Sequence, residues 1–188
     1  MAESHVDVFN SPQYLFGLMG HSGILVEDAD GRVHLYSYHP VDNLGEWFSR
    51  GSIAQLADPE DGRDFEAFRR ACMTYHEDSF HADKRSVRLF NGYKYWYEPI
   101  RRVLRLGVTA DKAEAVRIFC ERWAKTPPYF NVINNNCEDF VDRALAAGGI
   151  VLKGKRHDLD SMPIPDVAFD HTTMRTSGIS SLARIDFE

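Results

Sequence analysis

One cysteine in this chain stands where a helix would begin, and that position suits a nucleophile. Three asparagines precede Cys137, and asparagine is among the residues most favoured as a helix N-cap. The spacing predicts a helix from Cys137 to Ala147, closed by Gly148-Gly149 as its C-cap. Unpaired N–H groups and the dipole of a first helical turn favour a thiolate. Cys137 is therefore a candidate nucleophile, and the alternative is that it is a small buried apolar residue.

A nucleophilic thiol needs a base beside it, and the N-terminal part of the chain contains candidates. The pattern predicts a β-hairpin with strands over 20–26 and 32–38. His21 lies on the first strand and His34 on the second, so we expect them to be cross-strand neighbours. An imidazole accepts a proton from a thiol, and a second polar group on the imidazole sets its tautomer. His21 is the candidate base and His34 the candidate orienting residue, with His39 as the alternative if the register differs by one residue.

The residues around these positions resemble a known superfamily. The segments Gly20-His21-Ser22-Gly23-Ile24-Leu25-Val26, Val33-His34-Leu35 and Asn136-Cys137-Glu138-Asp139-Phe140-Val141 are similar to segments of the circularly permuted NlpC-type papain-like hydrolases. The branch that they resemble contains lecithin:retinol acyltransferase and its phospholipid-acting relatives. The resemblance implies Cys137 as nucleophile, His21 as general base and His34 as the third, orienting residue. Permutation accounts for the order in which both histidines precede the cysteine.

The resemblance also implies a fold and a reaction. We expect an α+β fold in which a small antiparallel sheet carries the histidines and packs on the helix that bears Cys137. Residues 1–170 would form the catalytic domain, and 171–188 a C-terminal tail. The implied reaction is acyl transfer through a thioester, with no metal and no organic cofactor. The Cys137 backbone N–H, together with Asn136, would stabilise the oxyanion.

Several substrates are compatible with that reaction. We expect an amide bond in a peptide, above all the peptide of bacterial peptidoglycan, and hence an exported antibacterial effector with an immunity protein as its partner. The alternatives are a phospholipid acyl hydrolase or acyltransferase, an isopeptidase acting on ubiquitin-like modifiers, and a binding module without activity. No long apolar C-terminal anchor is present, and this disfavours a lipid substrate.

Composition excludes some other functions. The chain has 188 residues and a net charge of −6, so nucleic acid is not an expected partner. No apolar run is long enough for a membrane span, and the first residues lack the pattern of a signal peptide. We therefore expect synthesis in the cytoplasm and, for an exported protein, a dedicated secretion system. Three cysteines far apart in sequence are typical of free thiols and not of a disulfide framework.

The remaining elements are predicted from periodicity and turn residues. Amphipathic patterns indicate helices over 63–75 and 110–125, and a short helix around Glu46-Trp47-Phe48. A strand is expected over 100–108, and a hairpin with an Asn-Gly turn over 86–97.

Overall fold

Seven strands form one antiparallel sheet that runs through the molecule. A computed structural model of the chain describes residues 3–11, 21–41, 48–80, 100, 102–131, 133–153 and 175–187. The strands of the sheet are β1 (Ser4–Ser11), β2 (His21–Glu27), β3 (Val33–Pro40), β4 (Phe48–Ala54), β5 (Arg102–Val108), β6 (Tyr129–Asn131) and β9 (Ser181–Asp186). Their order across the sheet is β6-β4-β3-β2-β1-β5-β9, and every neighbouring pair is antiparallel. Two short strands, β7 (Val151–Lys153) and β8 (Arg175–Ser177), pair separately.

Three helices cover the two faces of this sheet. They are α1 (Phe65–Phe80), α2 (Ala110–Lys125) and α3 (Cys137–Ala147), and a 3₁₀ helix at Pro59–Gly62 precedes α1. On one face, apolar side chains of β1, β2, β3 and β5 pack with residues of α2 and α3 such as Val116 and Phe140. On the other face, alternate residues of the same strands pack with Phe68 and Cys72 of α1. The central strands β1, β2, β3 and β5 are therefore buried on both faces of the sheet.

The predicted α+β class is confirmed. An antiparallel sheet packs against the helix that bears Cys137, as expected. The sheet is larger than the small one expected, because strands near both chain termini join it. β1 was not predicted at all, and it lies between β2 and β5 in the sheet.

The structure confirms the predicted bounds of α2 and α3. α3 begins at Cys137 and ends at Ala147. Gly149 has a φ of 65°, a left-handed conformation that glycine adopts without steric cost. The N–H of Gly149 donates to the Ala146 carbonyl and that of Ile150 to the Leu145 carbonyl. These two hydrogen bonds form a Schellman motif, so α3 stops where its glycines predict.

The predicted hairpin exists, with bounds shifted by one or two residues. Its turn contains Gly31, whose φ of 79° again requires the left-handed region. The Asp28 side chain accepts hydrogen bonds from the N–H groups of Asp30 and Arg32, each at 3.0 Å. The pairing of β2 with β3 sets Ile24 opposite Tyr36, and this register decides which histidines meet.

Some other sequence predictions need correction, and some concern residues that the structure does not describe. Phe48 begins strand β4 and does not belong to a helix. Residues 181–186, expected in a tail, form the edge strand β9 of the main sheet. The predicted hairpin over 86–97 and the residues Glu46 and Trp47 lie outside the described residues.

Candidate active site

Cys137 occupies the first position of α3, and a capping box determines that position. The Asn136 side-chain oxygen accepts hydrogen bonds from the N–H groups of Glu138, at 2.8 Å, and Asp139, at 3.1 Å. In return, the Asp139 carboxylate accepts the Asn136 backbone N–H at 3.0 Å. Cys137 is buried, and its N–H belongs to the first turn, where an α-helix supplies no internal acceptor. The side chain therefore lies at the positive end of the helix dipole, as predicted.

The capping box also limits what Asn136 can contribute. Its side-chain oxygen and its backbone N–H are both used to start α3. The Asn136 backbone N–H donates to the Asp139 carboxylate and is therefore not directed at an oxyanion. A contribution of Asn136 to an oxyanion must therefore come from its side-chain amide group.

His21 is the first residue of β2 and is 7% exposed. Its Nε2 lies 2.5 Å from the Ser37 hydroxyl oxygen, a hydrogen bond between two buried side chains. The Phe9 ring occupies the space that a side chain at position 23 would fill, because Gly23 has none. The centroid of the Phe9 ring is 6.3 Å from that of the His21 ring. Burial lowers the pKa of His21 to about 4. The imidazole is therefore neutral near pH 7, as a general base has to be.

The structure does not bring His34 to His21, which corrects the expectation that they are cross-strand neighbours. His34 is opposite Val26, five residues along β2 from His21, or roughly 17 Å at the rise of a strand. The His34 Nε2 lies 2.8 Å from an oxygen of Asp28, in the turn of the hairpin. His34 also faces the opposite side of the sheet from His21, because the two positions differ in parity. It therefore cannot orient the His21 imidazole.

His39 is the second histidine near His21. Continuing the register of β2 and β3 by three residues sets His21 opposite His39. The His39 Nδ1–H donates to the Pro40 carbonyl at 3.1 Å, and the side chain is buried. Burial, followed by the proximity of His21, lowers the pKa of His39 well below its usual range. Two neutral imidazoles and the Ser37 hydroxyl therefore lie together at this end of the hairpin.

The elements that carry Cys137 and His21 pack against each other. α3 lies across β2, and its Phe140 ring is 5.9 Å from the Tyr38 ring of β3. By strand alternation, His21 and Ser37 point to the face that α1 covers, whereas α3 covers the other face. A contact between the thiol and the imidazole would therefore require the start of α3 to lie at the end of β2 where His21 is the first residue.

Hydrogen bonds of the Tyr38 hydroxyl connect the segment before Cys137 to the sheet. Its hydroxyl donates to the Pro128 carbonyl at 3.0 Å and accepts the Asn135 side-chain amide at 3.2 Å. Burial raises the pKa of Tyr38 to about 12, so the phenol stays protonated and keeps its donor. These bonds fix the approach to α3 relative to the strand that carries Ser37 and His39.

Large side chains are exposed on that same approach. Tyr129 is 58% exposed and Ile133 is 60% exposed. The Ile133 N–H donates to the Asn131 side chain, and Asn131 forms a β-bridge with Asn135, so Ile133 stands in a tight turn. The turn ends just before the capping box. The exposed apolar surface therefore lies on the segment that leads to Cys137.

Three general features of the described residues complete the picture of the site. Within the described ranges, no three side chains of histidine, cysteine, aspartate or glutamate are grouped to hold a metal ion. Cys72, Cys120 and Cys137 are buried, and none of them forms a disulfide bond. A search of the described helices finds none that is long and apolar enough to span a membrane.

Comparisons with known proteins provide little further information. No protein-family model matches the chain, and no curated protein matches it. Among solved structures, the chain is similar to the crystal structure of a type VI secretion system effector, TseH. That match has a TM-score of 0.48 and 12% sequence identity and covers 98% of each chain. A likeness of this size leaves the fold and the function to be argued from the residues of this chain.

Ser37 and Tyr38 are the site residues that the sequence did not reveal. Serine and tyrosine are ordinary residues in a half-buried strand, so their types gave no signal. One pattern could have found Ser37: it lies near the end of the strand predicted over 32–38 and shares strand parity with His39.

Proposed function

We propose that this protein is a cysteine hydrolase that cleaves an amide bond through a thioester, with bacterial peptidoglycan peptide as its substrate. Cys137 would be the nucleophile and His21 the general base. The observation that carries the proposal is the position of Cys137 at the first residue of a capped helix that packs on the strand beginning with His21. A thiol at a helix N-terminus that is paired with an imidazole base is how cysteine nucleophiles are activated.

The reaction follows from these groups. His21 accepts the Cys137 thiol proton as the sulfur attacks the carbonyl carbon of the amide. The tetrahedral intermediate then expels the amine, which takes the proton from His21, and a thioester remains. Water attacks the thioester while His21 accepts one of its protons. The carboxylic acid leaves, and the proton returns to the sulfur.

Two donors could stabilise the negative oxygen of the tetrahedral intermediates. The Cys137 backbone N–H lies in the first turn of α3, and the positive end of the helix dipole supports it. The Asn136 side-chain amide is the second, since the other polar groups of Asn136 form the capping box. Loss of one such donor typically lowers kcat by about a hundredfold to a thousandfold.

The test is mass spectrometry of purified peptidoglycan digested with the wild type and with Cys137→Ala. New muropeptide fragments are expected with the wild type alone, and the cleaved bond then defines the specificity. Cys120→Ala is the matched control, because it removes a buried cysteine from α2 that packs in the core. Equal fragments from the wild type and Cys137→Ala would refute the role of Cys137, and no fragments would refute the substrate.

The proposal extends to an antibacterial effector that a dedicated system exports and an immunity protein neutralises. Peptidoglycan lies outside the cytoplasmic membrane, so a wall hydrolase harms a cell only from that side. Expression with a periplasmic signal should lyse a test bacterium, and expression without one should not. Toxicity in the cytoplasm, or periplasmic toxicity that survives Cys137→Ala, would contradict this extension.

A phospholipid ester is the second candidate substrate, and one observation favours it. Tyr129 and Ile133 expose large apolar surface on the turn that leads to Cys137. Apolar and aromatic side chains at such a rim suit the interface of a lipid bilayer. Release of fatty acid from phosphatidylcholine vesicles by the wild type, and not by Cys137→Ala, would establish this alternative.

A further inference from the structure

The hydrogen bond between His21 and Ser37 suggests how the candidate base is oriented. Both side chains are buried, and the Nε2–Oγ distance is 2.5 Å. The two residues lie on adjacent strands of a sheet that is covered on both faces, so neither backbone can shift easily. The geometry between the two groups is therefore set by the sheet.

We propose that Ser37 is the positioning residue of His21, with the imidazole held as the tautomer whose Nε2–H donates to the Ser37 hydroxyl. This inference rests on the proposed function, in which His21 accepts a proton from Cys137. Because Nε2 is hydrogen-bonded to Ser37, the proposed function requires Nδ1 to accept the thiol proton. Nδ1 is basic only when the ring proton is on Nε2.

A hydroxyl differs from a charged orienting residue in one respect. A carboxylate on the far nitrogen would stabilise an imidazolium, whereas a serine hydroxyl carries no charge. Ser37 therefore sets the tautomer and the angle of the ring without favouring its protonated form. The imidazole is then neutral at rest, and it becomes charged when it accepts the thiol proton.

The neighbouring groups are consistent with this assignment. The Phe9 ring packs near the His21 ring, with the two centroids 6.3 Å apart. His39 uses its Nδ1–H on the Pro40 carbonyl, so that proton is not directed at His21. His34, which was the expected orienting residue, is held by Asp28 in the hairpin turn. Ser37 thus takes the place in the site that His34 was expected to fill.

The test measures the tautomer directly by two-bond ¹H–¹⁵N correlation NMR of the histidine rings at about pH 7. His21→Gln identifies the His21 signals. We expect the wild type to show His21 as the Nε2–H tautomer, and Ser37→Ala to lose that preference. Ser37→Thr restores a hydroxyl at the same carbon in a residue that suits a strand, and it should keep the wild-type signal.

Ser49→Ala is the matched control, since it also removes a buried hydroxyl, on β4, whose bond is to the Arg50 carbonyl. It should leave the His21 signals unchanged. A wild type in the Nδ1–H tautomer would overturn the proposal, and so would Ser37→Ala signals identical to those of the wild type. The wild-type spectrum alone decides the first point, even if Ser37→Ala fails to fold.

Kinetics separate this inference from the proposed function. Ser37→Ala should lower kcat by roughly 10–100-fold, the usual effect of losing a partner that orients a functional imidazole, while KM stays near the wild-type value. Cys137-dependent cleavage with an unaltered kcat in Ser37→Ala would overturn the positioning role and leave the proposed function intact. The expected tautomers without cleavage by any variant would refute the proposed substrate, while the Ser37 contact would stand.

Discussion

At the scale of single residues, burial decides what kind of base His21 can be. An exposed histidine titrates near 6.5, whereas burial lowers the pKa of His21 to about 4. The sequence indicated His21 and Cys137 as candidates, because residue type and position in an element are local properties. It did not indicate Ser37, because only the pairing of β2 with β3 brings that hydroxyl to the imidazole.

The first prediction concerns the pH dependence of catalysis. A general base works only when it is unprotonated, so activity should fall as the pH drops through the pKa of His21. We expect the acid limb of kcat/KM near pH 4 to 5, below the value of about 6.5 for an ordinary histidine. The measurement is the initial rate between about pH 3.5 and 8, with circular dichroism to show that the protein remains folded.

The same shift affects stability, and the sign follows from proton binding. The folded pKa lies below the unfolded one, so the unfolded chain binds more protons between about pH 4 and 6.5. Stability should therefore fall as the pH is lowered through that window. An acid limb near pH 6.5 in a protein that is still folded would contradict both the burial of the base and its neutrality.

At the scale of elements, the capping box of α3 sets where Cys137 lies. Asn136 and Asp139 satisfy three N–H groups between them, and these bonds define the first turn. The asparagine run predicted this helix start, since capping depends on residues close in sequence. Which side chain of β3 lies beside His21 depends on the register of the hairpin. A longer turn changes that register without changing the hydrophobic pattern of the sequence.

The second prediction is that Asn136→Ala destabilises the protein by about 1 kcal/mol, the usual effect of removing a polar N-cap. Asn136→Ser should restore most of the loss, because serine also caps. Asn134→Ala is the control, since Asn134 is exposed and lies outside the capping box. Urea denaturation of the three variants measures the differences. Equal stability of Asn136→Ala and Asn134→Ala would show that the box does not set the start of α3.

A second element-scale feature is a partly buried ionic cluster that joins β1, β2 and β5. Arg105 reaches Glu27 at 2.7 Å and Asp7 at 3.5 Å, and its guanidinium lies 3.8 Å from the centre of the Phe65 ring. His5 also contacts Glu27, at 3.0 Å. Burial of Asp7 outweighs the attraction of Arg105 and raises the pKa of that carboxyl to about 7. The cluster therefore gains or loses charge near neutral pH.

The third prediction follows from that cluster. The pKa of Asp7 in the folded protein, about 7, exceeds its ordinary value of 3.8. Between these two values, the folded protein therefore keeps a proton on Asp7 that the unfolded chain has released. The contribution of Asp7 to the stability of the fold therefore declines as the pH rises from about 4 through 7. The thermal midpoint of Asp7→Asn relative to the wild type should therefore increase between about pH 5 and 8. Glu114→Gln, at an exposed ion pair with Arg117, should show no such trend, and a constant difference for Asp7→Asn would refute the prediction.

At the scale of the whole molecule, pairings between distant segments complete the sheet. β1 and β5 are adjacent in the sheet although about a hundred residues separate them, and β9 adds the last strand beside β5. β1 contains Asp7 and Asn10, polar residues that weaken a strand pattern. β9 follows a polar segment and is mostly exposed, so its local pattern is weak as well. Strands β1 and β9 can be recognised only from the strands with which they pair. The sequence therefore predicted the helices better than the sheet.

The last prediction tests whether the C-terminal residues belong to the folded domain. Phe187 follows β9, is 6% exposed, and packs in the core between the sheet and α1. Phe187→Ala should therefore destabilise the protein by about 3 kcal/mol, as expected for a buried aromatic side chain. Leu182→Ala, on β9 but 40% exposed, should cost less than about 1 kcal/mol. Urea denaturation measures both, and a loss for Phe187→Ala no larger than that for Leu182→Ala would mean that these residues form a dispensable tail.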